Sequence, residues 1–517
     1  VPADGGGLPP SLYNYWVIIH PPTIFLGFGS LIVLFAYAFS ALANKDLDSW
    51  IPQVRPWAIL SSTFVGLGLI MGGFWAYEML NWGGFWMWDP VENVSFVPWV
   101  LSIAFFHGIL VQQSRRKWHY TNVLFGALPF LSFCYGTFLT RSGYLGDTSV
   151  HNFTEMDRDA LKLLIGQVVI LTVGFIGFWL TRMAKDKTER PDIRPEAPLA
   201  KEKFYGAGII LLLMMGIATA LGMSVPLIQS IMQRSPKAVE EHLYHQVLSW
   251  MFIPIMVLIA VTPFISWRGL TFRETLNKVI NTFSISLFIT GVALIWIQNP
   301  ASGVQPDTTK TIHFWNGVQA PLMPWMGTLL FVCVFAICAN TGQILSILRR
   351  SRIGLGGFIS HVGLAVLLAG LILSRGFERQ QHYVVQPGIT AVPLEPKGPK
   401  DLVELINEDK LDFTNRKNEV SFKFMGNGQE KVLNPGLYYV FSGDQPMPQS
   451  RPDILKGWDH DFYVVVKDIQ VDGTDFLTLK PGETGTIKGF IWATMDEVTY
   501  TVKYHNFVRE GEAGKAG

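Results

Sequence analysis

Three tryptophans, two adjacent glycines and two carboxylates share one short stretch, Asn81-Trp82-Gly83-Gly84-Phe85-Trp86-Met87-Trp88-Asp89-Pro90-Val91-Glu92-Asn93. The glycines give a flat backbone that a planar group can approach closely. Asp89, Pro90 and Glu92 interrupt the apolar sequence as an interfacial turn does. Trp also gathers wherever helices leave a bilayer, so a plain aromatic belt is the competing reading. A belt scatters its aromatics over several helix ends, whereas these are condensed beside glycines and carboxylates. Such a surface suits a large flat cofactor, with Trp82, Gly83, Gly84, Trp86, Trp88 and Asp89 as the residues that would bind it.

Of the eleven histidines, two lie inside long apolar runs, where an ionisable group is expensive and marks a candidate functional site. His107 stands six residues before Gln113 and His361 six residues after Leu355, at the same edge of the membrane. At 1.5 Å per residue both sit about 9 Å inside it. Matched depth on two helices is what one planar cofactor with two axial imidazoles requires. The spacing thus favours a bis-His b-type haem over two separate interhelical hydrogen bonds, with Gly356, Gly357 and Gly363 leaving room near His361. His20, before Pro21-Pro22, and His151, in Ser149-Val150-His151, lie on the opposite side and could flank the Trp-rich stretch. On position alone each is equally well a loop histidine. His242 and His245 share a helix face at a spacing that suits a metal, but no third ligand is evident. His119, His313, His382, His460 and His505 carry no assignment.

The elements that must position these groups are membrane helices. Nearly half of the 517 residues are apolar and only 16% are charged, too hydrophobic a composition for an ordinary soluble protein. Runs long enough to span a bilayer occupy Pro22 to Ala43, Trp57 to Glu78, Val94 to Gln112, Tyr120 to Thr140 and Leu161 to Trp179. Five more occupy Phe204 to Pro226, Val247 to Trp267, Val279 to Gln298, Met326 to Leu348 and Leu355 to Ser374. One set of alternate loops holds eighteen Lys and Arg and the other five. The positive-inside rule makes the first set cytoplasmic and turns the Trp-rich stretch outward. The fold expected is therefore an α-helical polytopic membrane protein of about ten spans. An outer-side segment over 1–21 leads into a transmembrane domain over 22–374, which carries the Trp-rich segment at 81–93. A β-rich extramembrane domain follows over 375–517, where alternating runs such as Ser421 to Phe424, Phe462 to Val471 and Val498 to Tyr504 are separated by Pro-Gly and Asn-Gly turns.

The net charge of +1 and the lack of a basic patch exclude a nucleic-acid partner. Cys134, Cys333 and Cys338 all lie in apolar runs and make no disulfide framework or zinc spacing. Lys185 to Lys203 reads as a charged, Pro-bearing cytoplasmic linker. A start at Val1, with no Met and no signal peptide, reads as a piece of something longer.

The string Trp-Gly-x-x-Trp-x-Trp-Asp-Pro-Val-Glu-Asn resembles the tryptophan-rich signature of haem-handling proteins in cytochrome c maturation, and most closely that of the CcmF-type haem lyases. His20-Pro21-Pro22 and Gly136-Thr137-Phe138-Leu139-Thr140-Arg141-Ser142-Gly143, with Ser149-Val150-His151, are similar to further elements of that family. The resemblance implies that His20 and His151 hold the iron of an external, transient haem. It likewise implies that His107 and His361 hold a stable membrane haem b. The implied activity is thioether attachment of haem to the Cys-x-x-Cys-His segment of an apocytochrome c at a bacterial inner membrane, with the C-terminal domain periplasmic. A haem chaperone, other cytochrome c maturation subunits and membrane lipid are the implied partners. Quinol is a candidate electron donor, although no quinone site is legible. Glu78 stands one place earlier than the family's carboxylate, and Phe85 replaces a Trp or Tyr, so no role transfers to Glu78. A b-type electron-transfer subunit would explain His107 and His361 but leave the Trp-rich stretch idle. A haem exporter or carrier of the same superfamily would need neither the membrane pair nor the soluble domain.

Overall fold

The computed structural model describes residues 14–80, 83–145, 156–188, 190, 192–298, 311–313, 319–348, 354–376, 383–385, 402–407, 421–426, 429–442, 445–457, 461–466, 468–469, 477–479, 491–493 and 507–509. The helices are α1 (Tyr15–Asn44), α2 (Trp50–Met79), α3 (Pro90–Arg115), α4 (His119–Arg141), α5 (Arg158–Lys185), α6 (Lys201–Met223), α7 (Val225–Ile231), α8 (Glu241–Val261), α9 (Phe272–Gln298), α10 (Leu322–Leu348) and α11 (Gly356–Gly376). Ten helices among the described residues are long and apolar enough to cross a membrane, α6 and α7 counting as one. The protein is a multi-pass membrane protein. Two compact units are distinguished, one of Val1–Ile18, Gly73–Phe85 and Arg379–Gly517, the other of Ile19–Gly72 and Trp86–Glu378.

The second unit is the helical body. Helix α3 is its most buried span and packs on α4 and α6, while α10 packs on α8, α9 and α11. Since lipid is as apolar as the side chains, small residues and polar pairs must hold such helices together. Gly27 lets α1 meet α2: a Cβ there would stand 2.6 Å from the Val65 amide nitrogen. One turn on, the Ser30 hydroxyl donates to Ser61 Oγ at 2.7 Å. Asn122 donates to the Gly108 carbonyl at 3.0 Å and to Gln112 at 2.7 Å, and Gln112 donates to the Leu47 carbonyl at 2.6 Å. These bonds satisfy the amide donors of Asn122 and Gln112 away from water, while Asn122 Oδ1 has no partner.

Two expectations change. Helix α1 begins at Tyr15, so His20, Pro21 and Pro22 lie within it rather than ahead of the first span. The prolines leave the Val17 and Ile18 carbonyls without their usual i+4 donors. The Thr23 hydroxyl donates to the neighbouring Ile19 carbonyl at 2.7 Å. The charged stretch after α5 is also more than a linker. Ile193 donates to the Arg115 carbonyl, Glu196 to the Arg268 carbonyl, and Leu199 pairs with Leu270 as a short antiparallel bridge. Lys117 joins this layer by ion pairs to Glu202 at 2.8 Å and Asp192 at 3.1 Å. The hydrogen bond to Glu202 holds its ammonium above the ordinary lysine value. Hydrogen bonds from Thr188, Arg190 and Tyr120 hold the Asp186 carboxyl well below the usual carboxylate range.

The first unit contains the described C-terminal strands. Leu402–Asn407, Ser421–Gly426 and Gln429–Leu433 form a three-stranded antiparallel sheet. Phe422 and Phe424 are buried, while Lys423 between them pairs with Glu430 at 2.9 Å, the alternation of a half-buried strand. The run Phe462 to Val471 contains strands Phe462–Val464 and Asp468–Ile469; Val498 to Tyr504 lies outside the described residues. This unit also holds the end of α2. Glu78 accepts hydrogen bonds from Asn14 at 3.2 Å, Trp16 at 2.9 Å and Lys456 at 2.6 Å, while the Tyr463 hydroxyl donates to the Leu80 carbonyl at 2.6 Å. Glu78 is thus a tether for the segment that precedes the tryptophans.

The Gly27 contact gives a test with a built-in control. Gly27→Ala forces a methyl group against the backbone of α2, which cannot yield as a side chain could, and should lower stability by about 1–3 kcal/mol. Gly29→Ala, where a Cβ meets nothing within 4 Å, should leave stability unchanged or raise it by up to about 1 kcal/mol. Thermal unfolding of the purified protein in detergent, followed by circular dichroism, measures both.

Candidate haem site

His107 and His361, which the sequence places at one depth on separate helices, come together. Their ring centroids are 6.3 Å apart and their planes 12° from parallel. Two metal–nitrogen bonds of about 2 Å, with the nitrogen-to-centroid distances, put trans-axial imidazoles roughly 6 Å apart. The separation leaves room for one iron between the rings. His107 Nδ1 is 2.8 Å from the Ile103 carbonyl. A carbonyl can only accept, so Nδ1 carries the proton and Nε2 the lone pair, the tautomer a metal ligand needs. Tyr205 holds the His107 ring edge-on, with centroids at 5.4 Å and planes at 86°. On α11 a Cβ on Gly357, one turn from His361, would meet nothing within 4 Å, and the same holds at Gly356 and Gly363 on the other side of the helix.

At the other end of α3, Asp89 and Glu92 form a reciprocal cap. Asp89 accepts from the Val91 amide at 3.0 Å, and Glu92 accepts from the Met87 and Asp89 amides, both at 3.1 Å. With Pro90 at the first helical position this is a capping box. Between the two bonded amides Trp88 is held at φ 57°, a left-handed conformation that bulky residues avoid, and its carbonyl accepts from Asn93 at 2.9 Å. Trp88 therefore turns its ring away from Trp86: the indoles meet at 86° with centroids at 5.9 Å, and Phe96 closes the corner. Trp88 stacks on Tyr244 at 5.0 Å and 7°, and its buried Nε1 has no hydrogen-bond partner. Gly83, at φ 69°, and Gly84 belong to the first unit. Trp82 lies outside the described residues.

His20 is seated in a helix. Its Nδ1 donates to the Gly68 carbonyl at 2.8 Å, which leaves the lone pair on Nε2. A Cβ on Gly72 would lie 2.9 Å from its Cε1 and 3.4 Å from its Nε2, so the glycine is the notch that accepts the ring. His151 lies outside the described residues. His242 and His245 each face a carboxylate, Glu240 at 3.0 Å and Glu241 at 3.7 Å respectively. Among the described residues no cluster of three or more metal-binding side chains occurs. Sequence reasoning missed that His245 lies edge-on to Trp88, with centroids at 6.4 Å and planes at 76°. The available signal was topological, because by span count α8 starts on the side where the Trp-rich stretch ends.

Residues 1–145 match the family described as Cytochrome C assembly protein. Over that stretch the chain is similar to this family. The chain is 29% identical over 391 residues to the cytochrome c-type biogenesis protein CcmF of Escherichia coli (strain K12), covering 75% of this chain and 56% of that one. It is 28% identical over 487 residues to the CcmF of Haemophilus influenzae, covering 92% and 70%. The chain thus spans little more than half the length of the first of these relatives. A solved structure described as Cytochrome c Heme Lyase CcmF matches with a TM-score of 0.60 at 20% identity, over 93% of this chain and 69% of that one, which shows the shared fold. The cytochrome c assembly match contains His20, the Trp-rich segment and His107; His151, His245 and His361 lie beyond it.

The notch at Gly72 is testable without any ligand. Gly72→Ala should turn the His20 ring and break its bond to Gly68, a loss of about 1 kcal/mol, and so expose the imidazole. Carbethoxylation of His20 by diethyl pyrocarbonate, followed by mass spectrometry, should run several-fold faster than in the parent.

Proposed function

We propose that this chain is the haem-attaching part of a cytochrome c haem lyase. A stable haem b lies between His107 and His361, and a second haem, the substrate, is held transiently on the Trp-rich face with His20 and His151 as iron ligands. The observation that carries the reading is the seating of His20. Its Nδ1 bond to the Gly68 carbonyl fixes the tautomer that a metal ligand needs, with the lone pair on Nε2.

In the proposed reaction two thiols of a Cys-x-x-Cys-His segment in an unfolded apocytochrome c add across the haem vinyl groups. For each, a C–S bond forms, the C=C π bond is lost, and the thiol hydrogen ends on the terminal vinyl carbon. The chain's part is to hold both substrates in near-attack geometry, an effect worth roughly 7–11 kcal/mol at best. Trp86 and Trp88 give stacking area and exclude water. The capping box of α3 fixes where that area stands. His20 and His151 orient the porphyrin through its iron. The membrane haem, when bound, supplies one-electron chemistry that keeps the outer iron ferrous, with quinol as the candidate donor. The proposed setting is a bacterial inner membrane, with the C-terminal domain in the periplasm and a haem chaperone and other maturation subunits as partners. An electron-transfer subunit would account for the His107 and His361 pair, but it would give the His20 notch and the Trp86–Trp88 corner no work.

Co-expression with an apocytochrome c, scored by peroxidase stain after denaturing electrophoresis, tests the reading. His20→Gly and His151→Gly should each reduce covalent haem to background, keep the membrane haem spectrum, and recover part of the yield when imidazole is supplied. Wild-type yield from both variants would refute the proposal. His107→Ala or His361→Ala should remove the stably bound haem, as read by the pyridine haemochrome. Full haem content with an unchanged low-spin spectrum would make that pair structural.

A further inference from the structure

Two axial imidazoles hold a haem iron and the tilt of its plane, but they leave the macrocycle free to turn about the line that joins them. The haem's two propionates are the groups by which that turn is fixed, and at low dielectric an anion is stabilised by a cation beside it. Helix α6 runs next to the proposed membrane haem, because Tyr205 stands edge-on to His107 with centroids at 5.4 Å. Lys201 is the first residue of that helix. Four residues from Tyr205, it lies on the same face, about 6 Å nearer the membrane edge. The aromatic contacts run on towards this edge. Tyr205 meets Trp267 at 5.3 Å and 90°, and the Arg115 guanidinium lies over Trp267 at 5.9 Å.

The charges at this edge do not match. Arg115 faces Glu202 at 3.5 Å, while Lys117 pairs with Glu202 at 2.8 Å and with Asp192 at 3.1 Å. These two cations take up both carboxylates. Lys201 is partly buried, yet among the described residues no carboxylate pairs with its ammonium. Arg115 Nη2 is likewise buried without a hydrogen-bond partner. A lysine at a membrane edge can extend to a lipid phosphate instead. The backbone of Lys201, however, is built into the folded layer at this edge: its amide donates to the Ser266 carbonyl at 3.2 Å, Ala200 before it is fully buried, and Leu199 pairs with Leu270.

We infer that Lys201 anchors a propionate of the membrane haem by a charge-assisted hydrogen bond. Arg115, held over Trp267, adds positive charge at the same edge. Lys201 thereby fixes the rotation that His107 and His361 leave open, and it directs one edge of the macrocycle towards the start of α6. The assignment rests on the reading of His107 and His361 as ligands of a stable haem b.

The test follows the loss of stably bound, low-spin haem from the full chain to an excess of a soluble haem scavenger. The haem-free protein is loaded with haem b or with its dimethyl ester, whose propionates carry no charge. From the parent, the ester should leave about tenfold faster than native haem, the factor that one hydrogen bond to a charged group supplies. Lys201→Met should lose native haem about tenfold faster than the parent and should barely distinguish the two haems. Lys201→Gln is a second neutral variant with the same expectation, so the test survives a folding failure of the first. Lys201→Arg, which keeps the charge, should keep the parent's preference, and so should Lys203→Met, where an exposed lysine is lost. The low-spin spectrum should persist in all of them, since both imidazoles remain. Equal rates for the two haems from the parent, or a preference for native haem that survives in both neutral variants, overturns this assignment alone. The second outcome is the one expected of a lysine that serves a lipid phosphate. A parent that holds no stable low-spin haem overturns the membrane-haem reading and this assignment with it.

Discussion

The Glu92 carboxyl group, bonded to the amides on either side of Trp88, is the contact on which the Trp-rich end of α3 depends. Trp88 sits in a backbone conformation that costs of order 1–3 kcal/mol, and it persists because both flanking amides and its own carbonyl are held. That conformation sets the perpendicular corner with Trp86 and the parallel stack on Tyr244. The same cap starts α3, which carries His107 near its other end. One helix thus fixes the tryptophans and a membrane histidine in a single frame, and its burial by α4 and α6 keeps that frame rigid.

Much of this was legible in the sequence, for reasons that differ by element. The spans follow from hydropathy alone, since only a helix satisfies its own backbone in lipid. The meeting of His107 with His361 followed from counting residues inward from one edge, because helical rise converts position into depth. Proline misled the reading of α1: its usual place at a helix start put Pro21 and Pro22 before the span, whereas the helix runs through both and leaves the Val17 and Ile18 carbonyls without their amide donors. The Asp89-Pro90-Val91-Glu92 string was read as a turn, although the same spacing is a capping box. Glu78 could not be interpreted at all, because its Lys456 partner lies 378 residues away. Nor could Gly72, whose role is to leave out a Cβ at one ring of another helix.

The distinction between the two imidazole sites is chiefly one of how the spare nitrogen is used. In both His20 and His107 a backbone carbonyl takes the Nδ1 proton, so helix geometry selects the tautomer without a charged partner. A carbonyl is well suited to this in lipid, where a carboxylate partner would need burial of a charge. His245 differs in having a carboxylate, Glu241, beside an exposed ring.

The distance along α3 limits how the two proposed haems communicate. Eighteen residues separate Asp89 from His107, about 27 Å of helix. An electron crossing that span in one step would be slow, since tunnelling falls exponentially with distance. The helix is not bare between its ends: Trp88 contacts Phe96, Phe96 contacts Trp99, and Phe106 lies against His107. The porphyrin of a haem b extends several ångströms from its iron in every in-plane direction, so two such rings, one at each end, shorten the remaining gap from both sides. A relay from the membrane haem to the outer one thus depends on how each ring is turned about its histidines as well as on where its iron sits. Tyr205 at the His107 ring and the Gly72 notch at His20 fix the two imidazoles themselves.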